Sequence, residues 1–101
     1  MQDPKLIRYK YNVVIEPAIL CVGPNPESTE DVGGFNIDLV KYSLWDDGDK
    51  CQEKRQTITS STNEKEAEYL KHVVRNAFIF TLSFELGITH FQAYDMLEKK
   101  E

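Results

Sequence analysis

Apolar side chains occupy every second position of residues 7–15, and the polar Arg8, Lys10 and Asn12 lie between them. Because successive side chains of a strand point to opposite faces of a sheet, this alternation predicts a half-buried β-strand. Pro17 cannot donate a ladder hydrogen bond, so we expect it to end or bend that strand. Residues 18–22 are then left as an optional short fourth strand. The apolar positions are Ile7, Tyr9, Tyr11, Val13 and Ile15.

Two further strands are indicated at residues 35–45 and 51–59. The apolar pattern of the first changes phase near Leu39 and Val40, which predicts either a bulge there or burial on both faces. The second is mostly polar, as is typical of an exposed edge strand. Residues 23–34, rich in Gly, Pro and acids, are interpreted as a long exposed loop. Asp47 and Gly48 suit a type I′ turn between the last two strands.

Two helices should follow the strands. Ser61 with Glu64, or Asn63 with Glu66, fits a capping box, and the helical spacing continues to about Leu86, before Gly87. Residues 78–84 also alternate as a strand would, but the absence of a breaker favours helix. Being apolar on nearly all sides, this helix is predicted to be the most buried one.

A second capping box, Thr89 with Gln92, predicts a short helix that runs to about Lys100. Its apolar residues Phe91, Tyr94 and Leu97 are expected along one side.

The size of the chain fits one domain spanning residues 1–101, since 101 residues cannot bury two separate cores. The predicted fold class is α+β. A three-stranded antiparallel sheet, with the optional fourth strand, packs against a long helix and a short C-terminal helix in the order β-β-β-α-α.

Residues that could carry catalysis or bind a metal do not fall into recognisable patterns. Cys21, Cys51, His72 and His90 lack the short paired spacings that organise a zinc site. No glycine-rich loop precedes a helix, as a phosphate site would need. The sequence therefore predicts a protein that is not an enzyme and has no metal or cofactor. With no apolar leader near Met1 and no long apolar run, a cytoplasmic location is expected.

Acidic residues concentrate in the two predicted turns, and the formal net charge is -5. Trp45 adjoins the second acidic group, and an aromatic residue flanked by charges is typical of a protein-binding surface. We therefore predict a small adaptor or inhibitor, of the kind encoded by phages or mobile elements, that contacts another protein through the acidic loops, the edge strand at residues 51–59, or both. A nucleic-acid-processing enzyme with a basic groove is one possible partner. The edge at residues 51–59 could also pair with itself to form a homodimer. The predicted partner-binding residues are Glu27, Glu30, Asp31, Trp45, Asp46, Asp47 and Asp49.

Residues 82–97 resemble a helix-turn-helix motif and support an alternative function. Ser83 lies four residues before Gly87, the residue at the turn, and capping Thr89 follows. The resemblance implies a nucleic-acid-binding regulator in which His90 and Gln92 face base edges and Lys99 and Lys100 meet phosphates. The negative net charge opposes this interpretation. A small-ligand sensor with a pocket between sheet and helices is a third possibility.

Overall fold

A computed structural model describes residues 3–97 of the chain. Three antiparallel strands form a sheet in the order β1-β2-β3, and two helices follow. The predicted α+β class and the order β-β-β-α-α are confirmed. The elements are β1 (Leu6–Val22), β2 (Glu30–Trp45), β3 (Lys50–Ser61), α1 (Glu64–Leu86) and α2 (His90–Asp95).

Strand β1 continues through Pro17 to Val22 without interruption, so residues 18–22 are not a separate strand and the expected break at Pro17 is wrong. Backbone N–H groups of alternate residues point to the same side of a strand. The Tyr11 N–H points away from β2, towards the Met96 carbonyl. Pro17 has the same parity as Tyr11, so its nitrogen faces the outer edge, where no bond to β2 is lost.

Strand β2 is the central strand and is buried on both faces. Ile37 and Val40 lie on opposite faces, and both are fully buried. Burial on both faces, one of the two predicted explanations, therefore accounts for the change of phase. No bulge occurs in β2 at Leu39 or Val40, because its pairing with β1 is regular there.

The first loop is shorter than predicted, because β2 already begins at Glu30 and the connection covers only residues 23–29. Gly34 lies inside β2, where a Cβ atom would meet the Leu20 Cδ1 atom at 2.5 Å and the Ser61 carbonyl oxygen at 2.9 Å. Glycine at this position allows the neighbouring strands to approach closely. Composition alone does not distinguish a glycine with this role from a glycine in a loop.

The turn between β2 and β3 is not of type I′. That turn needs positive φ at both central residues, but among the described residues only Gly48 (φ 91°) and Gly87 have positive φ. The Gly48 N–H donates to the Trp45 carbonyl, and the Trp45 N–H donates to the Asp49 carbonyl. This is a type I turn followed by a left-handed glycine, the usual three-residue hairpin.

Strand β3 is the exposed edge that its polar sequence predicts; residues 50–58 are all exposed. Its pairing with β2 skips Glu53 and Ile58, so β3 carries two extra residues as bulges.

Helix α1 crosses one face of the sheet and supplies the core. Asn63 is its N-cap and accepts a hydrogen bond from the Glu66 N–H, and Gly87 ends it in the left-handed conformation. Residues 78–84 are therefore helical. Ala67 packs in the core with Val13 and Ile37.

The deep burial expected of α1, as the predicted most buried helix, is wrong. Phe80 and Phe84 are 59% and 86% exposed, because the sheet covers only one side of the helix and no second layer within the described residues covers the other.

The chain after α2 returns to the sheet. Helix α2 ends at Asp95, short of the predicted end near Lys100, which lies outside the described residues. Leu97 is fully buried and pairs in parallel with Tyr11 at the outer edge of β1, whereas Phe91 is 87% exposed, so the two do not share one side. Neither α1 nor α2 has the length and apolar character needed to cross a membrane.

Candidate functional site

The six predicted acidic residues form two separate groups at opposite ends of the sheet. Glu27, Glu30 and Asp31 lie where β1 joins β2, and the other three lie in the β2–β3 turn. Trp45 lies fourteen positions after Asp31 along an extended strand, a distance of about 45 Å at ~3.3 Å per residue. A compact basic group on a partner can therefore contact only one of the two groups.

The β2–β3 end holds a cleft of about 290 Å³ that is lined by three of the predicted residues, Trp45, Asp47 and Asp49. We call it the tip cleft. Strand β2 contributes Trp45, the turn contributes two carboxylates and β3 contributes a third. The lining residues are Pro4, Trp45, Asp47, Asp49, Cys51 and Glu53.

The N-terminal segment completes one wall of the tip cleft. The Lys5 N–H donates to Asp46 Oδ1 and the Asp46 N–H donates to the Lys5 carbonyl, both at 3.0 Å. This reciprocal pair fixes the segment against the turn and places Pro4 in the cleft. Asp46, predicted to bind a partner, therefore holds the turn and is not among the lining residues.

Hydrogen bonds fix the aromatic ring and one carboxylate of the tip cleft. The Trp45 indole N–H donates to Ser43 Oγ at 2.9 Å, and the Ser43 hydroxyl donates to Glu53 Oε1 at 2.5 Å. Ser43 is 1% exposed, so the link between ring and carboxylate is shielded from water. The Trp45 ring is thereby held in one orientation next to a fixed negative charge.

The turn carboxylates complete the negative lining. Asp47 Oδ1 accepts the Asp49 N–H at 3.0 Å, which stabilises the turn and leaves its other oxygen available. Lys50 lies beside the turn, but its ammonium sits 4.3 Å from the Tyr42 ring centroid, and the strand parity of Tyr42 puts it on the opposite face from Trp45. The lining contains three carboxyl groups and no basic side chain.

This arrangement is suited to a cationic side chain. A guanidinium or ammonium group interacts favourably with an indole face and with carboxylates, and both gain when water is partly excluded. Among the residues that the structure describes, no group of three or more His, Cys, Asp or Glu side chains is placed to hold a metal ion.

The other acidic group lies on an open surface. Asn25 Oδ1 accepts the Glu27 N–H at 3.0 Å, and Glu30 and Asp31 pair with Val22 and Cys21 across the hairpin. All three acidic residues are exposed.

The residues of the helix-turn-helix interpretation make contacts within the chain. The His90 ring meets the Phe80 ring edge to face, with centroids 4.5 Å apart. The Gln92 side chain accepts the Thr89 N–H and so completes the capping box of α2. Lys99 and Lys100 lie outside the described residues.

The two cysteines are free and exposed, Cys21 near the first loop and Cys51 at the tip cleft. A second cleft, of about 240 Å³, is lined only by the sheet residues Tyr11, Leu39, Lys41, Lys54 and Gln56. The pocket expected for a ligand sensor would lie between sheet and helices, but no helix residue lines this cleft.

The sequence did not single out three residues of this site: Glu53 and Pro4, which line the tip cleft, and Ser43, which links Trp45 to Glu53. Glu53 reaches the cleft at a bulge, and a bulge in a uniformly polar strand leaves no periodic signal. Pro4 arrives through a contact 41 residues away in sequence. The Ser43 side chain, a polar residue within an otherwise apolar stretch of strand, was the one available signal.

Comparisons with protein-family models, with curated proteins and with solved structures found no match to this chain.

Proposed function

We propose that the chain is a small protein-binding module, an adaptor or inhibitor, that recognises a basic side chain of another protein in the tip cleft. The observation that carries the proposal is the fixed pairing of the Trp45 ring with Glu53 through the buried Ser43 hydroxyl. The module acts by binding rather than by catalysis, in the cytoplasm.

Recognition combines two contributions: contact with an aromatic side chain and electrostatic attraction. Trp45 makes the main contact with the partner, because aromatic side chains dominate the energetics of interfaces. The carboxylates of the cleft supply the charge that attracts and orients an arginine or lysine. The net charge of -5 adds long-range attraction to a basic partner such as a nucleic-acid-processing enzyme.

The two acidic groups have different roles in this proposal. Glu27, Glu30 and Asp31 lie on an open surface about 45 Å from the tip, so they contribute to attraction at long range only. The contact itself belongs to Asp47, Asp49 and Glu53.

The test compares two variants with the same change in charge. The tip variant carries Asp47→Asn, Asp49→Asn and Glu53→Gln, which retain the oxygen acceptors seen in the structure. The control variant carries Glu27→Gln, Glu30→Gln and Asp31→Asn. Each removes three negative charges, so any difference between them reflects position and not net charge.

Immobilised wild type, tip variant and control variant are used to capture proteins from host lysate, with mass spectrometry as the readout. We expect a protein that wild type and control retain and that the tip variant retains at least ~10-fold less, as expected for loss of close charge pairs. Equal retention by the tip variant, or capture of duplex DNA in place of protein, would contradict the proposal.

A further inference from the structure

Helix α1 carries an apolar stripe on the side that faces away from the sheet. The outer stripe consists of Tyr69, Val73, Phe80 and Phe84, with exposures of 67%, 43%, 59% and 86%. At 3.6 residues per turn these positions fall on one side of the helix, opposite Ala67 and the core. An exposed apolar row of this kind marks an interaction surface.

The outer stripe has a symmetric spacing along the helix. Its midpoint lies between Asn76 and Ala77, and the apolar residues fall at equal distances on either side: Val73 mirrors Phe80, and Tyr69 mirrors Phe84. Two antiparallel copies of α1 that cross at this midpoint would place each large residue against a large residue. The small Ala77 at the crossing allows the backbones to approach closely.

Such a pattern is what a two-fold interface requires. In an isologous contact residue i meets residue j and j meets i, so a surface that reads the same in both directions is complementary to itself. In the dimer, Tyr69 of each copy would meet Phe84 of the other copy, and Val73 of each copy would meet Phe80 of the other. No charged residue lies within the stripe, so no ion loses its water on pairing.

The chain exposes more surface than a compact monomer of its mass, enough for an interface of standard size. Its accessible surface is 7434 Å², whereas a monomer of this mass is expected to expose about 5,900 Å². A standard interface buries about 800 Å² per partner, well within this excess. The three aromatic residues alone expose about 400 Å², taking ~200 Å² for each side chain.

Edge β3, the other surface considered for a homodimer, is less suited to self-pairing. It carries Lys54 and Arg55 and is interrupted by bulges at Glu53 and Ile58. Charged side chains and bulges are the features by which edge strands avoid pairing with another chain.

We propose that the outer stripe binds a second copy of this chain through antiparallel α1 helices, crossing between Asn76 and Ala77. The dimer has four layers, sheet–helix–helix–sheet, and buries the stripe between its two inner layers. The dimer is argued from α1 alone and does not depend on the function proposed for the tip cleft. The Phe80 ring, which the dimer would bury, is already held by its edge-to-face contact with the His90 ring.

The test is sedimentation velocity of the full chain across a dilution series. Wild type should sediment as a dimer of twice 11.7 kDa. Tyr69→Lys alone and Phe84→Glu alone should each weaken the dimer at least ~30-fold, as expected at interface hot spots. The two variants mixed should form a heterodimer, since the introduced ammonium then faces the introduced carboxylate at one of the two contacts while the native pair remains at the other.

Matched controls separate the outer stripe from other exposed apolar positions. Ile19→Lys, at a β1 position that is 73% exposed, should leave the wild-type dimer unchanged. Ile58→Lys tests the alternative dimer through edge β3, which it would weaken. If the dimer forms through α1, as proposed, Ile58→Lys should have no effect. Circular dichroism and thermal melting confirm that each variant is folded, as expected for changes at exposed positions.

Three results would overturn the proposal. Wild type that is monomeric throughout the series would mean that the stripe is not a self-interface. Retention of the dimer in both single variants would mean that another surface forms it. Failure of the mixed variants to associate, with each single variant monomeric, would rule out the antiparallel register.

Discussion

Arg55 links all three strands on the sheet face opposite α1. Its Nε atom lies 2.8 Å from Asp38 Oδ2 and a terminal nitrogen lies 2.8 Å from Glu16 Oε1. The hydrogen bond with Asp38, and then that with Glu16, raises the pKa of the Arg55 guanidinium above its ordinary value, so Arg55 stays charged. Thr57 donates a further hydrogen bond to Asp38 Oδ1 at 2.7 Å, so both oxygens of this nearly buried carboxylate are bonded.

Replacing Arg55 should therefore destabilise the fold more than its partial exposure suggests. Arg55→Ala removes the ion-pair partner of the nearly buried Asp38 carboxylate, and we expect a loss of about 2 kcal/mol in the free energy of unfolding. Urea denaturation measures this change. The neighbouring exposed Lys54→Ala should change the free energy by less than ~0.5 kcal/mol. Equal effects of the two substitutions would show that the network contributes nothing.

The adjacent glycines of β2 offer a second matched pair. A Cβ atom on Gly34 would lie 2.5 Å from Leu20 Cδ1 and 2.9 Å from the Ser61 carbonyl oxygen, whereas one on Gly33 would meet nothing within 4 Å. We expect Gly34→Ala to cost about 1–3 kcal/mol through overpacking. Gly33→Ala should be neutral or stabilise by up to ~1 kcal/mol. Thermal melting distinguishes them, and a Gly34→Ala protein as stable as wild type would refute the close approach.

At the scale of elements, periodicity and capping residues correctly predicted the features that depend on contacts between residues close in sequence. The alternation at residues 7–15 identified β1, and Asn63 and Thr89 marked the helix starts, because caps satisfy backbone donors within a few residues. The errors arose where distant contacts decide. Pro17 is tolerated because its nitrogen faces the outer edge, and α1 is exposed because only one sheet lies against it.

The same distinction applies to the candidate site. Trp45, Asp47 and Asp49 could be selected from sequence because turns concentrate acids beside strand ends. Glu53 and Pro4 could not, since a bulge and a long-range hydrogen-bonded pair bring them there. The separation of the two acidic groups follows from the length of β2, which the predicted loop at residues 23–34 had understated.

The segment after α2 acts as a clamp on β1. The Tyr11 N–H donates to the Met96 carbonyl at 2.7 Å, the Lys10 ammonium donates to the Asp95 carbonyl at 2.6 Å, and Leu97 is fully buried. Leu97→Ala should lower the free energy of unfolding by about 2–4 kcal/mol through the cavity that it leaves.

Phe91→Ala is the control for the clamp, because Phe91 is 87% exposed and should contribute less than ~0.5 kcal/mol. Urea denaturation of both variants gives the comparison. Hydrogen exchange should also show the Tyr11 amide protected in wild type and less protected in Leu97→Ala. An unprotected Tyr11 amide in wild type would contradict the clamp.

The whole molecule is extended compared with ordinary domains of its length. Its radius of gyration is 16.8 Å, against about 13 Å expected for a compact chain of this size. The long sheet accounts for the 56 Å dimension, and one helix layer covers only part of it. A molecule of this shape has a large surface relative to its core.

Recognition of a cationic side chain by the tip cleft is the central claim, and the Trp45 indole N–H reports on it directly. In ¹⁵N-edited NMR, titration of the wild-type protein with a tetra-arginine peptide should shift this signal to saturation. The shift should disappear at high salt and in the variant Asp47→Asn, Asp49→Asn, Glu53→Gln, but should persist in Glu27→Gln, Glu30→Gln, Asp31→Asn. An indole signal that does not move, or that moves equally in both variants, would contradict the account.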